Sequence, residues 1–206
     1  MFAEISSSGL LFILCNIKRA NIPVELWILD FKASHEFEGI APSEHYAEFE
    51  AVYDRMKEFY ERFTALGEGG DGSAKILLLD EVAGALTHYE LTGEKAKANE
   101  MRQIMSSLLM LGRSRRCYLA LAFQRFSVSV FPQSAGSIDN FHIKIGMGAL
   151  TTEGRKSLFS GEHDESIDSL PYGMARGIAL IDGKPLVSLQ IPNVSKKKML
   201  SYLQGK

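Results

Sequence analysis

Three short runs of this chain are apolar at almost every step, and each stops on polar residues. Val24-Glu25-Leu26-Trp27-Ile28-Leu29 ends at Asp30, Ile76-Leu77-Leu78-Leu79 ends at Asp80-Glu81, and Cys117 to Phe123 ends at Gln124-Arg125. A strand with one face in water alternates apolar and polar side chains, whereas a continuously apolar strand must be covered on both faces. Helix-length segments separate the runs. The pattern therefore predicts an α/β fold, a mostly parallel sheet with helices on both faces. A further strand is expected at His142–Gly146. Two closing strands, Gly177–Ile181 and Leu186–Ile191, flank Asp182-Gly183, a strong turn signal that predicts a C-terminal hairpin adding antiparallel strands at one edge of the sheet.

The helical segments read by their spacing. Tyr46, Phe49, Tyr53, Met56, Tyr60 and Phe63 recur every three or four residues, which predicts a helix from Ser43 to Leu66 with Pro42 and Ser43 at its start and Gly67 at its end. Met101, Ile104, Met105, Leu108 and Leu111 predict a second helix stopped by Gly112. Gly9 opens the helix-compatible LLFILCNIKRA, whose Lys18 and Arg19 suit a helix C-terminus. The glycine-rich 67–72 reads as a flexible surface loop. Residues 194–206, with the Lys196–Lys198 run, read as a solvated basic C-terminal tail on a single domain spanning 1–206.

Composition narrows the function classes. With 206 residues and a formal net charge of −2, the chain carries no global positive field to attract nucleic acid, so any DNA contact must come from local loops or several subunits together. The candidate loops are Gly67–Ser73 and the segment after Arg125 through Ser137. Cys15 and Cys117 sit in apolar runs and read as buried, reduced thiols in a cytosolic protein; no Cys or His pair has metal-ligand spacing. The apolar stretch Leu10 to Ile17 is too short to span a bilayer.

In parallel α/β sheets, ligands bind beyond the carboxyl ends of the strands, where all three polar tips fall. Asp80-Glu81 has the form of a Walker B motif: one acid can hold Mg²⁺, and its neighbour can polarise the attacking water. Alone, an apolar strand ending in acids is as readily a surface tip. Gln124 could sense a γ-phosphate or be an ordinary loop residue. Arg113, Arg115 and Arg116 are either a solvated turn or a supply of positive charge to a neighbour's nucleotide. An unrelated enzyme using Asp80 and Glu81 as an acid/base pair has no nucleophile or histidine beside them to support it.

The ordered set WILDFK, a long helix, ILLLDE, then GRSRRCYLALAFQRFSVSVFP resembles FtsK/SpoIIIE family DNA translocases, and FHIKIGMGALTTEGRKSLFSG looks like the branch with conjugative-element coupling ATPases. The resemblance covers roughly residues 9 to 193. It implies a three-layer, RecA-like P-loop NTPase core that uses ATP and Mg²⁺ to pump double-stranded DNA through a homo-oligomeric ring, a hexamer, in a cytoplasmic domain of a protein that can be membrane-anchored elsewhere. Other transfer or secretion proteins are further partners of such machines. By position, Asp80 would hold Mg²⁺, Glu81 would be the catalytic carboxylate, Gln124 the polar sensor, and Arg113 and Arg125 contacts at the γ-phosphate or subunit interface. Asp30 and Lys32 match the family's acid-x-lysine, for which the sequence supplies no role.

One departure from the family has a physical consequence. A P-loop reads GxxxxGK[ST], with a lysine to neutralise the β/γ charge. The matching place, with Ser6, Ser7, Ser8 and Gly9 facing the phosphates, continues with Leu10 where the lysine belongs, and little chain precedes the serines to form the feeding strand. Losing one charge-assisted contact forfeits about 1.5–3 kcal/mol of binding, and more at the transition state. Weak or absent nucleotide binding and no meaningful hydrolysis by this chain alone are expected. A non-catalytic domain that binds a protein partner is the alternative, since some secretion ATPases of this superfamily string together domains that lack the lysine.

Overall fold

A computed structural model describes residues 7–124, 126, 128–131, 137–148, 150–160, 173–182 and 184–205. The chain divides into two compact units, one formed by 23–121 and 128–140, the other by 1–22, 122–127 and 141–206.

The first unit is built on the continuous apolar runs. Strands β1 (Val24–Asp30), β2 (Tyr46–Glu48), β3 (Ala74–Asp80) and β4 (Cys117–Ala122) form one sheet in the order β2-β1-β3-β4. Strand β1 runs parallel to both β2 and β3, in a register that sets Asp30 beside Asp80. Trp27, Ile28, Leu29 and Asp30 are buried in succession, as are Leu77, Leu78 and Leu79. Because successive side chains point to opposite faces, both faces of the sheet are covered. The expected architecture is present: a parallel central sheet flanked by helices.

Helices α2 (Ala51–Ala65), α3 (Val82–Leu91) and α4 (Lys95–Leu111) complete this unit. Helix α2 starts eight residues later than the spacing predicts. Ser43–His45 form a 3₁₀ turn, and Tyr46–Glu48 extend along β1 as an edge strand. Phe49 then takes a left-handed φ of 45° and donates its N–H to the Asp30 carbonyl at 3.2 Å, so the helix cannot begin before it. The buried stripe is consequently Val52, Met56, Phe59 and Phe63. Of the six residues predicted inward, Met56 and Phe63 are buried, and Phe49 is 44% exposed. On α4, Met101, Ile104, Met105 and Leu108 are buried as expected, while Leu111 in the last turn is 50% exposed. The spacing argument did not register α3, which buries Val82, Ala85, Leu86 and Tyr89.

The second unit holds α1 (Ser7–Arg19) and a separate antiparallel sheet, β5 (Ile143–Gly148), β6 (Gly173–Ile181) and β7 (Val187–Gln190), in sequence order. The hairpin is thus three strands with β5, not an addition to the parallel sheet; Gly183 of its predicted turn lies outside the described residues. Gly177 has no room for a side chain, since a Cβ would fall 2.0 Å from the Gly146 carbonyl oxygen across the β5–β6 pair. Helix α5 (Thr152–Leu158) is capped by the Thr151 hydroxyl, which accepts from the Gly154 N–H at 3.1 Å.

The segment expected as a solvated tail is instead mostly a helix, α6 (Lys196–Gln204), docked on α1 with Met199 and Leu203 buried. Lys18 donates to the carbonyls of Tyr202 and Leu203 at 2.8 and 2.9 Å, a cation closing a helix C-terminus. Lys197 and Lys198 remain exposed. Among the described residues no helix is long and apolar enough to cross a membrane. Cys117 is buried and Cys15 half-buried; both are free, and burial pushes both thiols up.

Candidate functional site

The carboxyl edge of the parallel sheet gathers acids that the strand register makes unavoidable. Asp30 and Asp80 end neighbouring parallel strands at the same level, so their Cα atoms are about 4.8 Å apart. Asp30 is fully buried. Its Oδ2 accepts from the Ser34 N–H at 3.0 Å and the Ser34 hydroxyl at 2.7 Å, while its Oδ1 is buried with no hydrogen-bond partner. A buried carboxylate oxygen without a donor costs free energy, and such atoms occur where strain is stored or where a water or ion completes the bonding.

Asp80 feels that environment directly. Burial, then the charges of Asp30 and Glu81, push its carboxyl up to about 6, with Lys32 working against the rise. Glu81 follows in a left-handed conformation, φ 59° and ψ 44°, as the residue before α3. Its carboxylate meets Lys32 Nζ at 3.1 Å. The Glu81 side chain lies against Gly84, where a Cβ would come within 3.1 Å of Glu81 Cγ and 3.5 Å of the Phe31 ring. Two main-chain bonds tie the strand tips: Phe31 N–H to the Asp80 carbonyl at 3.4 Å, and Phe49 N–H to the Asp30 carbonyl. Phe31, Phe49 and His88 pack at centroid distances of 5.1–5.6 Å beside the acids.

The other sequence-predicted residues are distributed over both units. Arg113 sits in the 3₁₀ turn Arg113–Arg115 that precedes β4, and is exposed. Lys75, the second residue of β3, donates its N–H to Arg116 just before β4, which puts the arginine turn at the amino edge. Asp80 is five residues further along β3, about 17 Å at the usual strand rise. The fold does not bring Arg113 to the acid pair of its own chain. Arg115 is committed elsewhere: its guanidinium donates to the Phe63 carbonyl at 3.1 Å and lies over the Phe63 ring. Gln124 is exposed just beyond β4, and Arg125 lies outside the described residues. Ser7, Ser8 and Gly9 form the first turn of α1, Ser6 lies outside the described residues, and Leu10 is buried at 1% exposure.

Asp30 and Lys32, for which the sequence alone supplies no role, stand against Asp80 and Glu81 in the fold. The signal was present in outline, an acid-x-lysine directly after an apolar strand. Which strand neighbours which, and in what register, is not written in either run alone.

The donor set suits a Mg²⁺ ion better than a closed metal cage. Among the described residues no group of three or more His, Cys, Asp or Glu is arranged to hold a metal by itself. Mg²⁺ keeps most of its waters and is ordinarily held by one or two carboxylates together with substrate phosphates. A half-buried Asp80 beside an unsatisfied Asp30 oxygen fits that demand. Leu10, the residue in the sequence position where a P-loop has its lysine, is a buried apolar side chain.

No family model matches the sequence, and no curated relative is found. Solved structures match in fold. The conjugation coupling protein TcpA of pCW3, solved as a monomer with ATPγS, superposes with a TM-score of 0.71 at 16% identity over 98% of this chain and 64% of TcpA. The cytoplasmic domain of the Thermomonospora curvata type VII secretion ATPase EccC gives 0.63 at 15% identity over 99% of this chain and 27% of EccC. EssC (ATPases 2 and 3) of Geobacillus thermodenitrificans gives 0.62 at 14% identity, covering 99% of this chain and 44% of EssC. The chain therefore spans less than two thirds of each of these three. At such identities the likeness is one of fold, and the fold is a RecA-like α/β core with a small antiparallel C-terminal sheet.

Proposed function

We propose that this chain is the core domain of an FtsK/SpoIIIE-type translocase of the conjugation-coupling kind, working on double-stranded DNA as part of a homo-oligomeric ring, with its own ATP turnover impaired. The observation that carries the reading is the tip of β3: Asp80, a carboxyl raised by burial beside an unsatisfied Asp30 oxygen, is followed by Glu81 in a left-handed turn. The fold also superposes over 98% of the chain on TcpA, a coupling protein solved with ATPγS.

In this reading Asp80 holds Mg²⁺, and Ser6, Ser7, Ser8 and Gly9 face the phosphates. Bound ATP–Mg²⁺ would supply the free energy of phosphoanhydride hydrolysis. Glu81 is the carboxylate that holds and polarises a water, and Gln124 is the polar sensor. Arg125 supplies positive charge at a γ-phosphate or subunit contact. Arg113, at the amino edge and exposed, would act on a neighbouring copy and not on its own acid pair. Backbone N–H groups in the first turn of α1 can still attract phosphate, but Leu10 contributes no charge. DNA binding is sequence-indifferent, falls steeply with salt, and needs several copies, because one copy carries a net charge of −2.

Titration of the purified chain with a fluorescent ATP analogue, with and without Mg²⁺, and a DNA-stimulated phosphate-release assay test this directly. Weak Mg²⁺-dependent binding that Asp80→Asn abolishes, without meaningful turnover, is the expected result. Turnover at ordinary motor rates refutes the impairment; binding indifferent to Mg²⁺ and to Asp80 refutes the site.

The burial of Leu10 favours a second reading, a non-catalytic domain of a secretion or transfer machine that binds a protein partner. Leu10→Lys separates the two. A disabled motor regains DNA-stimulated hydrolysis, whereas a dedicated scaffold gains nothing and loses stability from a buried lysine.

A further inference from the structure

Lys32 has no role in the reading so far, yet its position is closely defined. It stands two residues past the end of β1, in a turn closed by the Ala33 N–H on the Asp30 carbonyl at 3.1 Å and by Ser34 on Asp30 Oδ2. From there its ammonium reaches Glu81 Oε2 at 3.1 Å while remaining 39% exposed. In the sheet order β2-β1-β3-β4, Lys32 lies on the β1 side of Glu81, away from β4. Gly84 leaves open the space where a Cβ would come within 3.1 Å of Glu81 Cγ and 3.5 Å of the Phe31 ring. Close by, Asp30 Oδ1 is buried and unpaired, so the cluster retains capacity for a cation that Lys32 does not satisfy.

We propose that Lys32 is a positioning residue that latches Glu81: a resident counter-ion that draws the Glu81 carboxylate toward β1 until a divalent cation at the acid cluster takes over the charge. The latch rests on the reading of Asp80 and Glu81 as a metal–phosphate site. In the metal-free state it keeps Glu81 from the position where it would polarise a water. A divalent ion and the ammonium compete for one carboxylate, so ion binding and latch opening are a single linked equilibrium.

Mn²⁺ binding, followed by electron paramagnetic resonance on the purified chain, tests this without any turnover. Lys32→Met should tighten Mn²⁺ about fivefold, the upper end of what one partly exposed ion pair is worth, because the ion then no longer has to draw Glu81 away from an ammonium. Lys32→Arg should keep the wild-type affinity. In a Glu81→Gln background the same Lys32→Met change should gain twofold or less, because the carboxylate it would release is gone. Unchanged or weaker Mn²⁺ binding in Lys32→Met overturns the latch, as does an equal gain with and without Glu81, which would mark Lys32 as a general repulsive charge. A fall in melting temperature with no change in Mn²⁺ affinity assigns Lys32 to structure alone and also overturns it. If Asp80→Asn loses Mn²⁺ while Lys32→Met is inert, the latch fails and the metal-site reading stands. If no variant binds Mn²⁺, both fail.

Discussion

The two edges of the parallel sheet carry similar numbers of polar groups and treat them in opposite ways. At the amino edge most are satisfied, with His45 Nδ1, buried against Trp27 and without a partner, the exception. Lys75, 5% exposed at its side chain, donates to both Asp71 oxygens at 2.7 and 2.6 Å and to the Ser73 hydroxyl at 3.0 Å. Glu25 Oε1 accepts from Trp27 Nε1 at 2.7 Å and from Arg62 at 3.1 Å. At the carboxyl edge, Asp30 Oδ1 is left without a donor and Asp80 is pushed up to about 6. Backbone conformation divides the same way. Around the amino edge left-handed φ falls on Gly69, Gly70 and Gly72, with Arg116 and, just before β1, Asn21 as exceptions, whereas the carboxyl edge assigns it to Ala33, His35, Phe49 and Glu81. Glycine adopts that region at little steric cost and other residues do not. Strain and unmet hydrogen-bonding capacity gathered at one edge support the proposed site there.

Making the amino edge fail is the strongest test of that division. Gly112 has an ordinary right-handed φ of −61°, not the left-handed conformation of a helix-capping glycine. Its need is spatial: a Cβ there would fall 2.2 Å from the Cys117 carbonyl oxygen and 2.4 Å from that of Leu108, both main-chain atoms. Gly112→Ala should cost about 3 kcal/mol in urea denaturation, since backbone cannot yield as a side chain would. A loss below about 1 kcal/mol would mean that this edge is not rigidly built.

The carboxyl edge predicts the opposite sign. A carboxyl whose folded value is about 6, against about 4 unfolded, holds its proton more tightly when folded. Its contribution is therefore most favourable below about pH 4 and declines as the pH rises to about 6. Asp80→Asn removes that penalty and should stabilise the chain by about 2 kcal/mol at pH 7.5, with the difference vanishing near pH 4. A loss at pH 7.5 would show that Asp80 is not under electrostatic tension. Mg²⁺ at millimolar concentration should narrow the wild-type deficit.

Asp71 gives the matching amino-edge case with the sign reversed. Lys75, together with Ser73, holds its carboxyl down at about 2. The stabilisation is complete above about pH 4 and is lost as the pH falls through about 2. Asp71→Asn should therefore lower the melting temperature at neutral pH and flatten the acid limb of the stability curve between pH 4 and 2. An unchanged acid limb would disconnect the 67–73 loop from Lys75.

Much of this was legible in the residues. Uninterrupted apolar runs announced strands covered on both sides, and Asp80-Glu81 at the end of one announced a pair of acids at the carboxyl edge. The edge strand Tyr46–Glu48 was not legible, because its aromatic spacing continues smoothly into α2 and only the left-handed Phe49 separates them. The loop at 67–72 looked mobile from its glycines, yet Gly69 donates to the Ser114 carbonyl at 2.7 Å, and a Cβ on Gly70 would sit 2.6 Å from the Arg115 carbonyl oxygen. Gly70 permits close approach between two backbones, which composition alone cannot separate from flexibility. The partnership of Asp30 with Asp80, and of Lys32 with Glu81, depended on strand register, a long-range property that neither run encodes by itself.

The smallest expected effect probes the contact where the two kinds of edge are hardest to tell apart. Gly84 lies inside α3 and has no positive φ to defend. Alanine there should gain about 0.5–1 kcal/mol from helix propensity. A Cβ 3.1 Å from Glu81 Cγ takes back a similar amount, because the Glu81 side chain must shift by a few tenths of an ångström. Gly84→Ala should thus leave stability within about 0.5 kcal/mol of wild type. If the carboxyl edge is organised for a ligand, the same substitution should still move Mn²⁺ affinity measurably, since the side chain it displaces is the one Lys32 holds. Were stability to change and Mn²⁺ affinity to stay fixed, Gly84 would belong with the packed glycines of the amino edge, and the left-handed Glu81 would lose its functional explanation.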